Sequence, residues 1–257
     1  MTTYDFTVIT VTYNAEQTLE RTLRSVGRQT WAEHVEHIIV DGASKDKTLP
    51  MAERYREACP HIRVEIISEP DKGLYDAMNK GLARARGRYV VFLNAGDKFH
   101  ADNTLELVAK AIDSRGETKY PAVVYGETDL VDGEGHFIRH RRLKAPERLE
   151  WTDFKWGMLV CHQSFYALRE IAPAYDLTYR FSADIDWCIR TMKRGKEMGM
   201  TTLNTHRILT DYLAEGMTTA NHKASLRERF AIMAHHYGWL TTCLMHAWFV
   251  LRAKLKK

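Results

Sequence analysis

The sequence predicts an α/β protein: a mixed, mostly parallel central sheet flanked by helices, followed by a C-terminal helical tail. Three observations carry this. Short β-branched or apolar runs alternate with amphipathic stretches through roughly the first 115 residues, the pattern of right-handed βαβ crossovers. The run Tyr89-Val90-Val91-Phe92-Leu93 is apolar at consecutive positions, as a strand covered on both faces requires. That run stops at Asn94-Ala95-Gly96-Asp97, which places a carboxylate just past the C-terminal end of a buried strand, where open α/β sheets bind ligands.

Phe6 to Tyr13 is rich in β-branched residues and makes the first strand. Leu19, Leu23 and Val26 then fall on one face of a helix. Val35 to Asp41 is the second strand, and Ser44 opens the next helix, with Pro50 early in it. Ile62 to Ser68 is the third strand. Leu74, Met78, Leu82 and Ala85, spaced by three and four, mark a helix that Gly87 closes from the C′ position. After about residue 115 the rhythm changes. Pro121 to Gly126 is extended, and Val131 to Phe137 reads as a hairpin turn between extended segments. Cys161-His162-Gln163 precedes a strand-like Ser164-Phe165-Tyr166. Asp184 to Arg194 is a helix closed by Gly195. A longer helix covers Ala220 to Tyr237, and Gly238 separates it from a last, apolar helix. With no repeat or linker in view, residues 1–238 read as one domain with halves at 1–115 and 116–238, and residues 239–257 as a tail.

The 257 residues, 45% hydrophobic and 27% charged, suffice for one α/β domain with a substantial core. A net charge of +4 does not point to nucleic acid as a partner, although Arg139 to Lys144 and Arg252 to Lys257 are local basic clusters. The four cysteines are scattered, without CxxC or metal-ligand spacing, which is the pattern of a reduced compartment. No N-terminal apolar run resembles a signal peptide, so a cytoplasmic protein is expected. The apolar segment Trp239 to Leu251 is shorter than the ~20 residues a membrane span needs. Its aromatic residues and following lysines suit a helix lying in a membrane interface; a helix packed on the core or on another copy is the other reading. No GxGxxG follows the first strand and no GxxxxGK[ST] occurs, which argues against dinucleotide oxidoreductases and P-loop enzymes. A nucleotidyltransferase would open on a glycine-rich loop, where this chain has TYNAEQT at 12–18. Asp46-Lys47-Thr48 lies at a helix start and is set aside as a phosphoryl-transfer motif.

Residues 69–81 (EPDKGLYDAMNKG) and 92–97 (FLNAGD) resemble the donor-binding segment of family 2 inverting glycosyltransferases with the GT-A fold, whose sheet is Rossmann-like. Residues 8–30 (VITVTYNAEQTLERTLRSVGRQT) and 37–48 (HIIVDGASKDKT) agree, in the expected order. The resemblance is closest in kind to bacterial enzymes that build cell-envelope polysaccharides. It implies transfer of a sugar from a nucleoside-diphosphate sugar, UDP-linked by preference, to an acceptor hydroxyl. The acceptor would be a lipid-linked glycan, met at the inner face of the plasma membrane through the tail. A catalytically idle nucleotide-sugar-binding protein is the alternative.

The resemblance also distributes roles. Asp41 would accept the imino N–H of a uracil-type base, a charge-assisted contact. Thr12, Tyr13, Asn14, Asp71, Lys72, Asn79 and Asn94 would complete the nucleotide pocket. Asp97 would hold a divalent cation, Mn²⁺ or Mg²⁺, on the departing diphosphate. The family commonly shows Asp-x-Asp there, whereas Asn94 and Gly96 leave Asp97 as the single acid, so metal affinity without nucleotide is expected to be weak. Asp184, in Ser182-Ala183-Asp184-Ile185-Asp186, would be the catalytic base where the family usually has Glu-Asp, with Asp186, His162 and Gln163 near the acceptor or sugar. For His162, a buried structural role is the other reading.

Overall fold

A computed structural model describes residues 4–116, 119–214 and 222–254. Four parallel strands form its first half: β1 (Phe6–Thr12), β2 (Val35–Asp41), β3 (Arg63–Ser68) and β4 (Tyr89–Phe92). The helices α1 (Leu19–Gly27), α2 (Thr48–Ala58) and α3 (Leu74–Arg84) connect them. The second half adds β5 (Lys98–Phe99), α4 (Thr104–Asp113), β6 (Val123–Val131), β7 (Phe137–His140), β8 (Phe165–Leu168), α5 (Ala183–Glu197) and β9 (Thr202–Leu213). Two helices follow, α6 (His222–Tyr237) and α7 (Trp239–Lys254). One sheet runs through both halves in the order β3-β2-β1-β4-β8-β6-β9-β5, with β7 paired to β6. Antiparallel pairing begins where β8 meets β4.

Register brings the strand ends together. Thr12 stands opposite Asp41, and Ile9 opposite Phe92. The N–H groups of Leu93 and Ala95 donate to the carbonyls of Ile9 and Val11, so residues 94–97 emerge beside the end of β1. Every residue of β1, β2 and β4 is buried, which is why β1 and β4 read as continuous apolar or β-branched runs, while β2 also buries Glu36 and His37. An aromatic ladder ties this core to the crevice above it: Tyr175 stacks on Trp187 and on Tyr75, and Phe92 meets Tyr175 and Trp187 edge-on.

Three sequence expectations need correction. Ser44 does not open α2, which begins at Thr48; its hydroxyl is spent on the Asp41 carboxylate. Gly87 is not a C′ residue, since α3 ends on an extended Ala85. A Cβ at Gly87 would lie 2.4 Å from the Thr7 nitrogen, so its lack of side chain serves a close approach to β1. Gly195 likewise sits inside α5, where a Cβ would lie 2.4 Å from that of Ala122; the left-handed terminator is Gly199, at φ +67°. In the last helix, Thr242 and Met245 are buried, while Leu240, Leu244, Trp248 and Leu251 form an exposed apolar stripe. The tail is therefore packed on one side and open on the other. Ala220, expected to begin α6, and residues 255–257 lie outside the described residues, as do the side chains of 252–254 in the basic closing run.

Candidate active site

A cavity of about 1390 Å³ opens at the C-terminal ends of β1 and β4. Of the residues singled out above, Thr12, Tyr13, Asp71, Asn94, Asp97, His162, Gln163 and Asp184 line it; Asn14, Asp41, Lys72, Asn79 and Asp186 do not.

At one end, the loop after β1 is stapled to the loop after β2. Asn14 N–H donates to Ser44 Oγ, Lys45 N–H to Asn14 Oδ1, Ala15 N–H to Thr48 Oγ1 and Glu16 N–H to Asp46 Oδ2. Asn14 and the Asp46-Lys47-Thr48 run thus shape the rim. Asp41 belongs with them. It is fully buried, and its carboxylate accepts bonds from Ser44 N–H, Ser44 Oγ and Ser68 Oγ, so it holds its own turn. The free carboxylate edge at this end is that of Asp71, whose Oδ1 accepts from Gly73 N–H. Its Oδ2 would lie 2.7 Å from a Cβ at Gly42, and the Tyr13 ring 3.2 Å from it. Glycine at 42 therefore lets Asp71 and the exposed Tyr13 ring flank one backbone floor.

Two other candidates have structural partners. Asn79 exchanges both of its amide bonds with the backbone of Tyr175, which fixes the ring stacked on Tyr75. Asp186 is 3% exposed and is taken up by Arg190 and by His236 of α6, so it locks α5 to α6. Lys72 is exposed on the loop before α3, with its N–H on Asp76.

The middle of the cavity holds two carboxylates. Asp97 closes the turn after β4, which Thr22 of α1 braces by donating to the Asp97 carbonyl and accepting from Gly96 N–H. Its Oδ1 accepts from Leu213 N–H and its Oδ2 from Gln163 Nε2 at 3.0 Å. Burial pushes its carboxyl up to about 6, against the opposing pull of those bonds. Asp184 stands in the first turn of α5, accepting from Tyr75 Oη at 3.3 Å with His162 Nδ1 at 3.5 Å. Burial opposes its ionisation, but the hydrogen bond and charge of His162 outweigh that and hold it below the usual carboxylate range. The consecutive residues His162 and Gln163, in a 3₁₀ turn before β8, therefore touch one carboxylate each.

Hard oxygen donors suit Mg²⁺ or Mn²⁺, and this cavity supplies them. Asn94 Oδ1 and Gln163 Oε1 are buried without a hydrogen-bond partner, in the same cavity as Asp97. This donor set fits a divalent cation shared with phosphate oxygens. The other cluster of ligand type among the described residues is His100, Asp129 and Asp211. There Lys98 already sits 2.7 Å from Asp211, and His140 bonds Asp129. Asp211 also faces away from the neighbouring Tyr212, which lines the cavity. Sequence reasoning missed Tyr75, Arg180 and Arg229 as lining residues. Tyr75 lay in the helix motif but carried no signal of its bond to a residue 109 positions away.

The family model described as Glycosyl transferase family 2 matches residues 7–172. A PGL/p-HBAD biosynthesis glycosyltransferase of Mycobacterium tuberculosis is 30% identical over 224 residues, 80% of this chain and 76% of that protein. A Bacillus subtilis glycosyltransferase named for teichuronic acid biosynthesis, TuaG, is 34% identical over 149 residues, 57% of this chain and 55% of its own. Among solved structures, S. aureus TarS 1-349 in complex with UDP-GlcNAc superposes with a TM-score of 0.65 at 17% identity, over 89% of this chain and 66% of that one. The chain spans 39% of the longer TarS chain. The mannosyltransferase PcManGT of Pyrobaculum calidifontis, in complex with GDP-Man and Mn²⁺, superposes at 0.59 and 18% identity, over 97% of this chain and 75% of that one. At such identities these two share the fold.

Proposed function

The chain belongs to glycosyl transferase family 2, and from that premise we propose that it is an inverting enzyme of envelope polysaccharide synthesis, moving a sugar from a nucleoside-diphosphate sugar, UDP-linked by preference, to a hydroxyl of a lipid-linked glycan. One observation carries the reading: Asp97 and Asp184 share a cavity and are spaced by the adjoining His162 and Gln163. The UDP-GlcNAc bound by TarS and the envelope glycans named for the B. subtilis relative support the donor and the pathway class.

In this reading Tyr13 and Asp71 receive the base across Gly42, and the Asp71 carboxylate accepts its imino N–H. Asn94, Asp97 and Gln163 would hold the cation, Mn²⁺ or Mg²⁺. When bound, it supplies positive charge to the departing diphosphate. Asp184 takes the proton of the acceptor hydroxyl as that oxygen attacks the anomeric carbon from the face opposite the diphosphate. The new C–O bond forms as the bond to the β-phosphate breaks, the electron pair leaves with the nucleotide, and configuration inverts. His162 keeps Asp184 ionised, and Tyr75, set by its stack on Tyr175, fixes the direction of its carboxylate.

No helix among the described residues is long and apolar enough to cross a membrane. The exposed stripe of α7 instead suits a helix lying on the cytoplasmic face of the plasma membrane, where nucleotide sugars and lipid-linked acceptors meet. Incubation with a panel of UDP- and GDP-sugars, Mn²⁺ and a bacterial lipid extract tests the function. Labelled sugar should enter the lipid fraction with release of UDP, and chelator should stop it. Binding of donor with no turnover of any kind would make the chain an idle nucleotide-sugar binder.

A further inference from the structure

We infer that the acceptor's apolar carrier enters the catalytic cavity itself and lies in an arm running from Asp184 between the 151–158 segment and the last two helices. The inference rests on the proposed role of Asp184 as the point where the acceptor hydroxyl is presented. It places that hydroxyl close to the carrier, not at the far end of a long polar glycan.

Size comes first. Sites for single small ligands run to roughly 300–1,000 Å³, and about 1390 Å³ leaves room for a second substrate beside the donor. The lining then divides by chemistry. Asp71, Asn94 and Asp97 belong to the loops after β3 and β4, on the donor side. The other walls present Phe154, Trp156, Met158, Leu226, Met233 and Phe249, with the cationic or polar side chains Arg141, Arg142, Arg180, Arg229 and His246 among them. These walls are one assembly, because the turn at 151–156 packs against α5, α6 and α7. The carboxylates lining the cavity are Asp71, Asp97 and Asp184, and the side-chain amides are Asn94 and Gln163; none belongs to this arm. A hydrocarbon or aromatic carrier gains apolar contact along Phe154, Trp156, Met158, Leu226, Met233 and Phe249.

The arm also reaches the surface where a lipid would arrive. Val250 lines the cavity yet is 58% exposed, and Leu226 and Trp156 are each 43% exposed. Beside them on α7 runs the stripe of Leu240, Leu244, Trp248 and Leu251. A carrier held in a bilayer under that stripe would enter the cavity past Val250, Leu226 and Trp156.

The test measures binding of n-octyl and methyl β-D-glucoside to the full chain by titration calorimetry, with the octyl compound kept below micelle formation. Each buried methylene is worth about fourfold in affinity, so burial of three gives the octyl compound an advantage of about 60-fold. Leu226→Asp and Met233→Lys should each remove at least about tenfold of it, while UDP affinity stays within about twofold because the donor end is untouched. Leu226 is half exposed, so that variant remains decisive if Met233→Lys does not fold. Equal binding of the two glucosides, or octyl binding that Leu226→Asp leaves intact, overturns the inference; the second result would place the alkyl chain on the outer face of α7. Turnover is not read, so a failure of Asp184 as base shows up separately, in the activity of its own variant.

Discussion

At the scale of single residues, what matters is which carboxylates are already committed. Asp41 ends β2 and Asp71 lies in the loop after β3, and the family resemblance favours Asp41 for the base. The bond that commits Asp41 to its turn comes from Ser68, 27 positions away, and no local pattern reveals it. Asp41→Ala should therefore cost stability, on the order of 2–3 kcal/mol for buried bonds to a charged group, measured by urea unfolding. Asp71→Ala should leave stability alone and weaken UDP binding by a similar amount in calorimetry. The reverse pattern would return the base contact to Asp41. Asp186 was equally opaque, since His236 lies 50 positions on. Asp97 and Asp184 were legible because their neighbours in sequence, a strand end and a helix start, already place them. For Asp97, burial raises the carboxyl from its ordinary 3.8 to about 6. The folded state then binds the proton more tightly than the unfolded one. The stability this contributes is complete below about pH 4 and is lost as pH rises through about 6. Without metal, Asp97→Asn should stabilise the protein at pH 7.5 by on the order of 3 kcal/mol and change little at pH 4. A variant no more stable than the parent at pH 7.5 would contradict the assignment.

At the scale of elements, the parallel strands declared themselves, as did the extended segments at 121–126 and 164–166, whereas β5 and β9 did not. Strands β1 and β4 are covered on both faces, so their runs are continuous. Strand β9 is broken by two register shifts against β6 and by His206 at φ +54°, which destroys the alternation that marks a half-buried strand. Strand β5 has two residues and no pattern to read. Glycines misled the helix boundaries for a related reason: sequence shows a missing side chain but not what stands where it would be. Gly87→Ala should destabilise by about 1–3 kcal/mol through its clash with β1, whereas Gly199→Ala should cost about 1 kcal/mol through backbone strain alone. Denaturant midpoints read both. A Gly87→Ala variant within about 0.5 kcal/mol of the parent would mean that β1 and the 85–88 turn can part freely.

At the scale of the whole molecule, the first and second parts of the chain share one sheet, and the cavity is lined from both. The apolar character of the tail was legible, but its division into a buried and an exposed face depends on the packing of α6 and the 151–156 turn. Removing residues 239–257 would uncover core, so the membrane reading is better tested on the outer stripe. Leu244→Glu with Trp248→Glu should abolish flotation with anionic vesicles at low salt while UDP affinity stays unchanged; retained flotation would remove the stripe from membrane contact. The central claim is that Asp184 takes the acceptor's proton while the donor is held elsewhere. The most direct measurement is Asp184→Asn, with transfer to the lipid fraction and UDP affinity read on the same preparation. Transfer should fall by at least about 10²-fold, the lower range for a lost general base, with UDP affinity near that of the parent. Transfer within a few-fold of the parent would contradict the account.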